Sequence, residues 1–87
     1  MQYGAFRDDL RTVYAVIRCL EIISEASRRL PDELKARQPS IAWRGMAASG
    51  NLYRHEYEDV AAHAVWDTVT FHLPPLLAVV RNELARL

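Results

Sequence analysis

The sequence predicts an all-α protein, an up-and-down helical bundle in a single domain of residues 1–87. Apolar residues recur at steps of three and four along two long segments, which is the period of one buried helical face. No segment shows the apolar and polar alternation of a half-buried strand, and no internal repeat is present. The 51% hydrophobic and 25% charged residues match a globular composition.

The first long helix is predicted from Asp8 to Leu30. Asp8 or Asp9 would cap its start, and Pro31 would end it because proline disfavours helical geometry in the residue before it. Cys19 has apolar neighbours and is predicted to be a buried small hydrophobic residue rather than a reactive thiol. The apolar positions that define this helix are Leu10, Val13, Ile17, Leu20 and Ile23.

Two further elements are predicted around Pro39. The segment from Pro31 to Gln38 fits a short helix with proline at its first helical position. Ser40 would then cap a third helix that begins near Ile41. This helix contains small residues that allow another backbone to approach closely, namely Ala47, Ala48, Ser49 and Gly50.

The second long segment follows Glu58 and Asp59, which are predicted to mark a break and a cap. Pro74 and Pro75 each remove a backbone donor, so we expect a kink or two abutting helices near Leu73, both packed on the same core. One apolar stripe is predicted to continue through the prolines to the end of the chain. Its members are Ala62, Val65, Trp66, Val69, Leu73, Leu76, Leu77, Val80, Leu84 and Leu87.

Size and charge limit the classes of function. Eleven basic and eleven acidic residues give a formal net charge of zero, so no global field attracts nucleic acid or an anionic membrane. No apolar run approaches the roughly 20 residues that span a bilayer, and we expect a cytoplasmic protein without a signal peptide. A chain of 87 residues with one cysteine has a small core and no intramolecular disulfide, which favours stabilisation by association with a partner.

Polar chemistry concentrates between Arg44 and Tyr57, in the segment RGMAASGNLYRHEY. On a continuous helix Arg44, Asn51 and His55 share one stripe, and Arg54 and Tyr57 flank the histidine. An imidazole beside a guanidinium, an amide and a phenol can handle a phosphate without a metal ion. Spacing alone favours the alternative, an ordinary solvated helix face.

Metal binding and base stacking have less support from the residues. His63 and His72 share no metal-ligand spacing with His55, and paired cysteines are absent from the sequence, so no metal site is predicted. Trp43, Trp66 and most tyrosines are predicted to pack in the core rather than to stack on bases.

Three stretches of the chain resemble the HepT-like branch of the HEPN superfamily. They are VIRCLEIISEASRRLPDEL, IAWRGMAASGNLYRHEY and VWDTVTFHLPPLL, and the resemblance covers about residues 6–80. It implies a dimerising helical bundle that acts as a metal-independent endoribonuclease toxin and requires no cofactor. It also implies a partner, a nucleotidyltransferase antitoxin of the MNT type encoded beside the toxin.

The resemblance also implies roles for particular residues. The family motif is an arginine, usually followed by asparagine, with a histidine five positions after the arginine and a tyrosine two positions further. Asn51, His55 and Tyr57 match this motif, whereas Gly50 stands where the arginine is expected. His55 would be the acid/base, Asn51 would bind the phosphate or orient the imidazole, and Tyr57 would be the residue that the antitoxin adenylylates.

Because Gly50 stands where the motif arginine is expected, the sequence is consistent with two functions. In the first, Arg54 or the more distant Arg44 supplies the positive charge, and Arg54 is favoured because it directly precedes His55. The protein is then an active or attenuated ribonuclease. In the second, the chain is a non-catalytic helical module that binds a nucleotidyltransferase or a nucleotide.

The start of the chain is a second departure from the family. Members usually carry a full helix before the segment that corresponds to Met1–Phe6, so one bundle helix is expected to be missing. Either the true start lies upstream, or a partner fills the apolar groove that the missing helix would leave.

Overall fold

The computed structural model describes the backbone of residues 1–52 and 58–87 and the side chains of residues 1–48 and 62–87. Every regular element within these ranges is helical, which confirms the predicted all-α class. The elements are α1 (Tyr3–Asp8), α2 (Leu10–Arg28), α3 (Asp32–Arg37), α4 (Trp43–Leu52), α5 (Glu58–Asp67), a π-helical segment (Thr68–His72) and α6 (Leu73–Ala85). None of the helices in the described ranges is both long and apolar enough to cross a bilayer.

Helix α2 confirms the first predicted helix, and Asp9 is its capping residue. The Asp9 carboxylate accepts the backbone N–H of Thr12 at 3.2 Å and the Thr12 hydroxyl at 2.7 Å. These two hydrogen bonds lower the pKa of Asp9 because they favour its charged form.

The prediction that Cys19 is buried is wrong, because its side chain is exposed. Val13 and Leu20 define the buried face of α2, with 2% and 4% of their surface accessible. Successive residues on a helix point about 100° apart, so the residue before Leu20 leaves the core.

A short helix precedes α2, in a segment where no element was predicted. Helix α1 is anchored by Phe6, which is 4% exposed and belongs to the same buried cluster as Val13 and Val65. The Phe6 ring also lies 5.4 Å from the indole of Trp66. Helix α1 therefore covers the start of α2 and the end of α5.

The short helix α3 confirms the helix predicted after Leu30, but Pro31 is its N-cap residue rather than its first helical residue. The prediction for α4 is wrong at the start, since the helix begins at Trp43 rather than near Ile41. Ile41 instead turns its side chain into the core, where it is 7% exposed. Ser40 is three positions before the helix and therefore does not occupy the capping position.

The predicted irregularity near Leu73 takes the form of a π-helical turn. The backbone N–H of Leu73 donates to the carbonyl of Thr68, five residues earlier. Pro74 and Pro75 have no N–H to continue the α-helical pattern, so the wider turn lies where the hydrogen-bond ladder is interrupted. The Thr68 hydroxyl also donates to the carbonyl of Ala64 at 2.9 Å, a contact that bends helices.

In the described part of the chain, the core beneath α5 and α6 contains two clusters of buried residues. Ile23 and Leu73 pack against both clusters and join them. The first cluster contains Phe6, Val13, Leu20, Ala62 and Val65, and the second contains Ile41, Leu76 and Val79.

The buried face of α6 also differs from the predicted stripe. Leu76 is 8% exposed, whereas the neighbouring Leu77 is 48% exposed. Apolar residues lie on several sides of α6, so their spacing alone does not show which side is buried. The structure turns Leu76 and Val79 toward the second cluster, and Val80 and Leu84 to the surface.

Candidate functional site

Helix α4 carries the first part of the predicted motif. Gly50 and Asn51 lie in its last turn, and Arg44 is an exposed residue of its first turn. Arg54, His55 and Tyr57 lie outside the described residues, so their predicted roles stay predictions. What the structure supplies is the framework that holds the helix leading into them.

Two side chains of helix α2 bind α4 at one backbone carbonyl, that of Ala47. The Ser24 hydroxyl donates to this oxygen at 2.9 Å. The Arg28 guanidinium donates to the same oxygen twice, from Nε at 3.0 Å and from Nη2 at 2.7 Å. The small-residue segment thus receives a close approach from α2, as the sequence predicts.

Two buried serines on α2 accompany this contact. Ser24 and Ser27 are 2% and 4% exposed, and the Ser27 hydroxyl donates to the carbonyl of Ser24 at 2.7 Å. Sequence reasoning assigned no role to Ser24 or Arg28. A signal was present, because Ser24 and Ser27 continue the three-and-four spacing of Val13 and Leu20 with polar residues.

The start of α4 is fixed by α3 and α6. The indole Nε1 of Trp43 donates to the carbonyl of Gln38 at 3.0 Å. The Gln38 amide donates to the Glu83 carboxylate at 2.8 Å, and the Arg37 guanidinium also binds Glu83. The hydrogen bond from Arg37 is the main cause that lowers the pKa of Glu83, and it raises the pKa of Arg37.

His63 and the two tryptophans have packing or ion-pair partners. Nδ1 of His63 lies 3.3 Å from the Asp67 carboxylate, and the Tyr3 ring lies 5.6 Å from the rings of both His63 and Trp66. Trp43 packs against the second cluster. Both tryptophans therefore pack in the core, as predicted. Among the residues that the structure describes, no three His, Cys, Asp or Glu side chains converge as metal ligands.

A cavity of about 370 Å³ opens between α2, the first half of α4 and the π-helical segment. Its lining is mainly apolar, with Leu20, Ile23, Ile41, Met46 and Leu73, and it includes Ser40, Thr68 and His72. The cavity borders the first turn and a half of α4, whereas Asn51 lies in the last turn.

Comparison with known proteins decides the family. A model of the family described as "Ribonuclease HepT-like" matches residues 1–83. The chain belongs to the HepT-like ribonuclease family. This confirms the resemblance seen in the sequence, and it places Gly50, Asn51 and the residues that follow α4 within the matched range.

Named relatives are similar over most of this chain. A probable ribonuclease HepT of Thermococcus cleftensis is 42% identical over 71 residues, which cover 82% of this chain and 64% of the relative. Two putative RNases of Methanocaldococcus jannaschii are 32% and 33% identical over 76 residues, covering 87% of this chain and 63% and 66% of theirs. The HepT-like chain described here thus spans slightly less than two thirds of these relatives. No solved structure matched it.

Proposed function

We propose that this HepT-like chain is the ribonuclease toxin of a toxin–antitoxin pair and that it cleaves RNA without a metal ion. The observation that carries the proposal is the family match over residues 1–83, supported by relatives that are named ribonucleases. Asn51 on α4, followed by His55 and Tyr57 at the family spacing, supplies the residues for the chemistry.

The proposed reaction is an internal attack within the RNA strand. The 2′-oxygen forms a bond to the adjacent phosphorus as the bond from phosphorus to the 5′-oxygen breaks. One proton leaves the 2′-hydroxyl and one is delivered to the departing 5′-oxygen, which gives a 2′,3′-cyclic phosphate and a 5′-hydroxyl. His55 is the proposed acid/base, since an imidazole exchanges protons near neutral pH and such a group contributes about 10² to 10⁴-fold in rate.

The phosphate needs donors that stabilise its growing negative charge. Asn51 is proposed to donate from its amide to a phosphate oxygen or to orient the imidazole. Arg54 is proposed to supply the cation, because Gly50 occupies the position of the motif arginine. A missing charge-assisted hydrogen bond of about 1.5 to 3 kcal/mol slows cleavage roughly ten- to a hundredfold, which is attenuation rather than complete loss.

Two partners complete the proposal besides the RNA substrate. An MNT-type nucleotidyltransferase antitoxin would transfer AMP to the Tyr57 hydroxyl and block the groove with an added phosphate. A second copy of the chain would form a homodimer and contribute its own residues to the RNA groove. Membership of the HepT-like family, whose resemblance implies a dimerising bundle, supports this association.

Gly50 favours a second candidate function. A chain that lacks the motif arginine can keep its helical surface and bind the nucleotidyltransferase or a nucleotide without catalysis. This alternative shares the partner with the first proposal but predicts no RNA cleavage at all.

Cleavage of a mixed RNA pool in EDTA separates the two functions. Purified wild-type protein and the His55→Ala variant are compared after circular dichroism and sedimentation show the same helix content and the same assembly. The ribonuclease proposal requires product from wild type and none from His55→Ala. Equal absence of product from both well-folded proteins supports the binding module, and equal cleavage by both removes His55 from the mechanism.

A further inference from the structure

We propose that Arg28, together with Ser24, is a positioning residue for the ribonuclease site, a proposal that rests on the function proposed above. The observation is the convergence of three side-chain hydrogen bonds on the Ala47 carbonyl, at 2.7, 2.9 and 3.0 Å. The carbonyl of residue 47 in a regular helix is the acceptor for the backbone N–H of residue 51. The contact therefore acts on the turn of α4 that contains Asn51.

Both donors are themselves fixed. Ser24 is 2% exposed on the buried face of α2. The Arg28 guanidinium is held from its other side by Glu25, whose carboxylate lies 3.3 Å from Nη1. Because Arg28 donates through two nitrogens in a rigid fork, it defines the direction as well as the distance to Ala47.

The location of the contact links it to the predicted chemistry. Three residues separate Ala47 from Gly50 and four separate it from Asn51, so both motif positions follow within about one helical turn. Side chains that donate hydrogen bonds to a helix carbonyl tilt that carbonyl, and the backbone direction of the next turn changes with it. A misplacement of reacting groups by about 1 Å can lower the reaction rate by up to about 10²-fold. A contact that shifts the turn containing Asn51 is therefore expected to lower the rate of catalysis.

Arg29, the C-cap residue of α2, offers a matched control. Its Nη2 lies 3.4 Å from the Glu25 carboxylate, so it pairs with the same acid as Arg28. Arg29 thus binds a residue of α2, whereas Arg28 also reaches Ala47 on α4. Arg28→Met and Arg29→Met remove the same charge and keep an unbranched stem, and they differ in the contact with Ala47.

The test combines kinetics with amide hydrogen exchange on the full chain. Arg28→Met is expected to lower kcat about ten- to a hundredfold with KM within about twofold of wild type, whereas Arg29→Met leaves both near wild type. Ser24→Ala is expected to lower kcat in the same way, although it changes no charge. Peptides that cover residues 48–52 are expected to exchange at least about tenfold faster in Arg28→Met than in Arg29→Met.

Three results would overturn the proposal. A raised KM with unchanged kcat in Arg28→Met would mean that Arg28 binds RNA directly. An unchanged kcat in Ser24→Ala would mean that the shared carbonyl is not the point of action. Unchanged exchange in residues 48–52 would mean that the contact does not order this turn. If wild type cleaves no RNA, the ribonuclease proposal fails by itself, and the exchange measurement still decides whether Arg28 orders the end of α4.

Discussion

Arg37 and Glu83 form an ion pair that joins α3 to α6 although 46 positions separate them in the chain. The Glu83 side chain is 12% exposed, and it also accepts a hydrogen bond from Gln38. Gln38 in turn receives the indole N–H of Trp43 on its carbonyl. A path of direct contacts thus runs from the C-terminal helix to the start of α4, the helix that carries the candidate site.

The ion pair between Arg37 and Glu83 predicts that the stability of the fold decreases in acid. Hydrogen bonds from Arg37 and Gln38 lower the pKa of Glu83 in the folded protein below its ordinary value of 4.5. Stability from this group is therefore present above pH 4.5 and is lost as the pH falls through the folded pKa. Urea midpoints measured between about pH 6 and pH 3 should fall less steeply in Glu83→Gln than in wild type. The exposed Asp8→Asn is the control, and an equal acid-induced loss in wild type and Glu83→Gln would contradict the role of Glu83.

The orientation of α6 predicts that alanine substitutions of two adjacent leucines lower the free energy of unfolding by different amounts. Leu76→Ala should cost about 2 to 4 kcal/mol of unfolding free energy because Leu76 is 8% exposed in the second cluster. Leu77→Ala should cost under about 1 kcal/mol, since Leu77 is 48% exposed. Chemical denaturation at one protein concentration measures both. A larger loss for Leu77→Ala would contradict the orientation of α6.

The exposure of Cys19 predicts an accessible thiol in the native protein. A disulfide reagent that releases a coloured product should react with Cys19 within about tenfold of its rate in urea-unfolded protein, because no opening of the fold is required. The chain has one cysteine, so the signal reports this residue alone. If Cys19 reacted thousands of times more slowly in the native protein than in the unfolded protein, the prediction that Cys19 is buried would be correct instead.

The sequence was sufficient to predict a helix where the spacing of apolar residues and a local capping residue indicate the same element. The spacing of Leu10, Val13 and Leu20, with Asp8 or Asp9 as the cap, predicted α2 to within two residues at each end. The same reasoning was less successful beyond Pro74 and Pro75. Apolar residues occur on several sides of α6, and the stripe that was continued through the prolines assigned Leu77 and Val80 to the core, although 48% and 42% of their surface is exposed.

Long-range contacts were the part of the site that spacing did not reveal. Spacing places Arg44 and Asn51 on one helix, and α4 contains both. It does not show that Arg28 would reach a carbonyl 19 positions away, because this depends on how α2 and α4 pack. The small residues around Ala47 indicated a close approach, but the identity of the approaching side chain required the three-dimensional structure.

The glycine in the motif predicts a gain of function. Gly50→Arg should raise RNA cleavage about ten- to a hundredfold, since it restores a charge-assisted hydrogen bond of about 1.5 to 3 kcal/mol. Ser49→Arg adds the same charge one position earlier and should give little increase. Initial rates on a labelled RNA measure both variants. No gain in Gly50→Arg, or an equal gain in both, would contradict the view that the missing arginine limits the rate.

The most direct test of the ribonuclease mechanism asks whether cleavage needs the 2′-hydroxyl. Wild-type protein in EDTA is incubated with one labelled RNA and with the same sequence carrying 2′-O-methyl groups, and the product ends are identified by mass spectrometry. The mechanism predicts cleavage of the unmodified RNA to 2′,3′-cyclic phosphate and 5′-hydroxyl ends and no cleavage of the methylated RNA. Cleavage of the methylated RNA, or activity that EDTA abolishes, would contradict it.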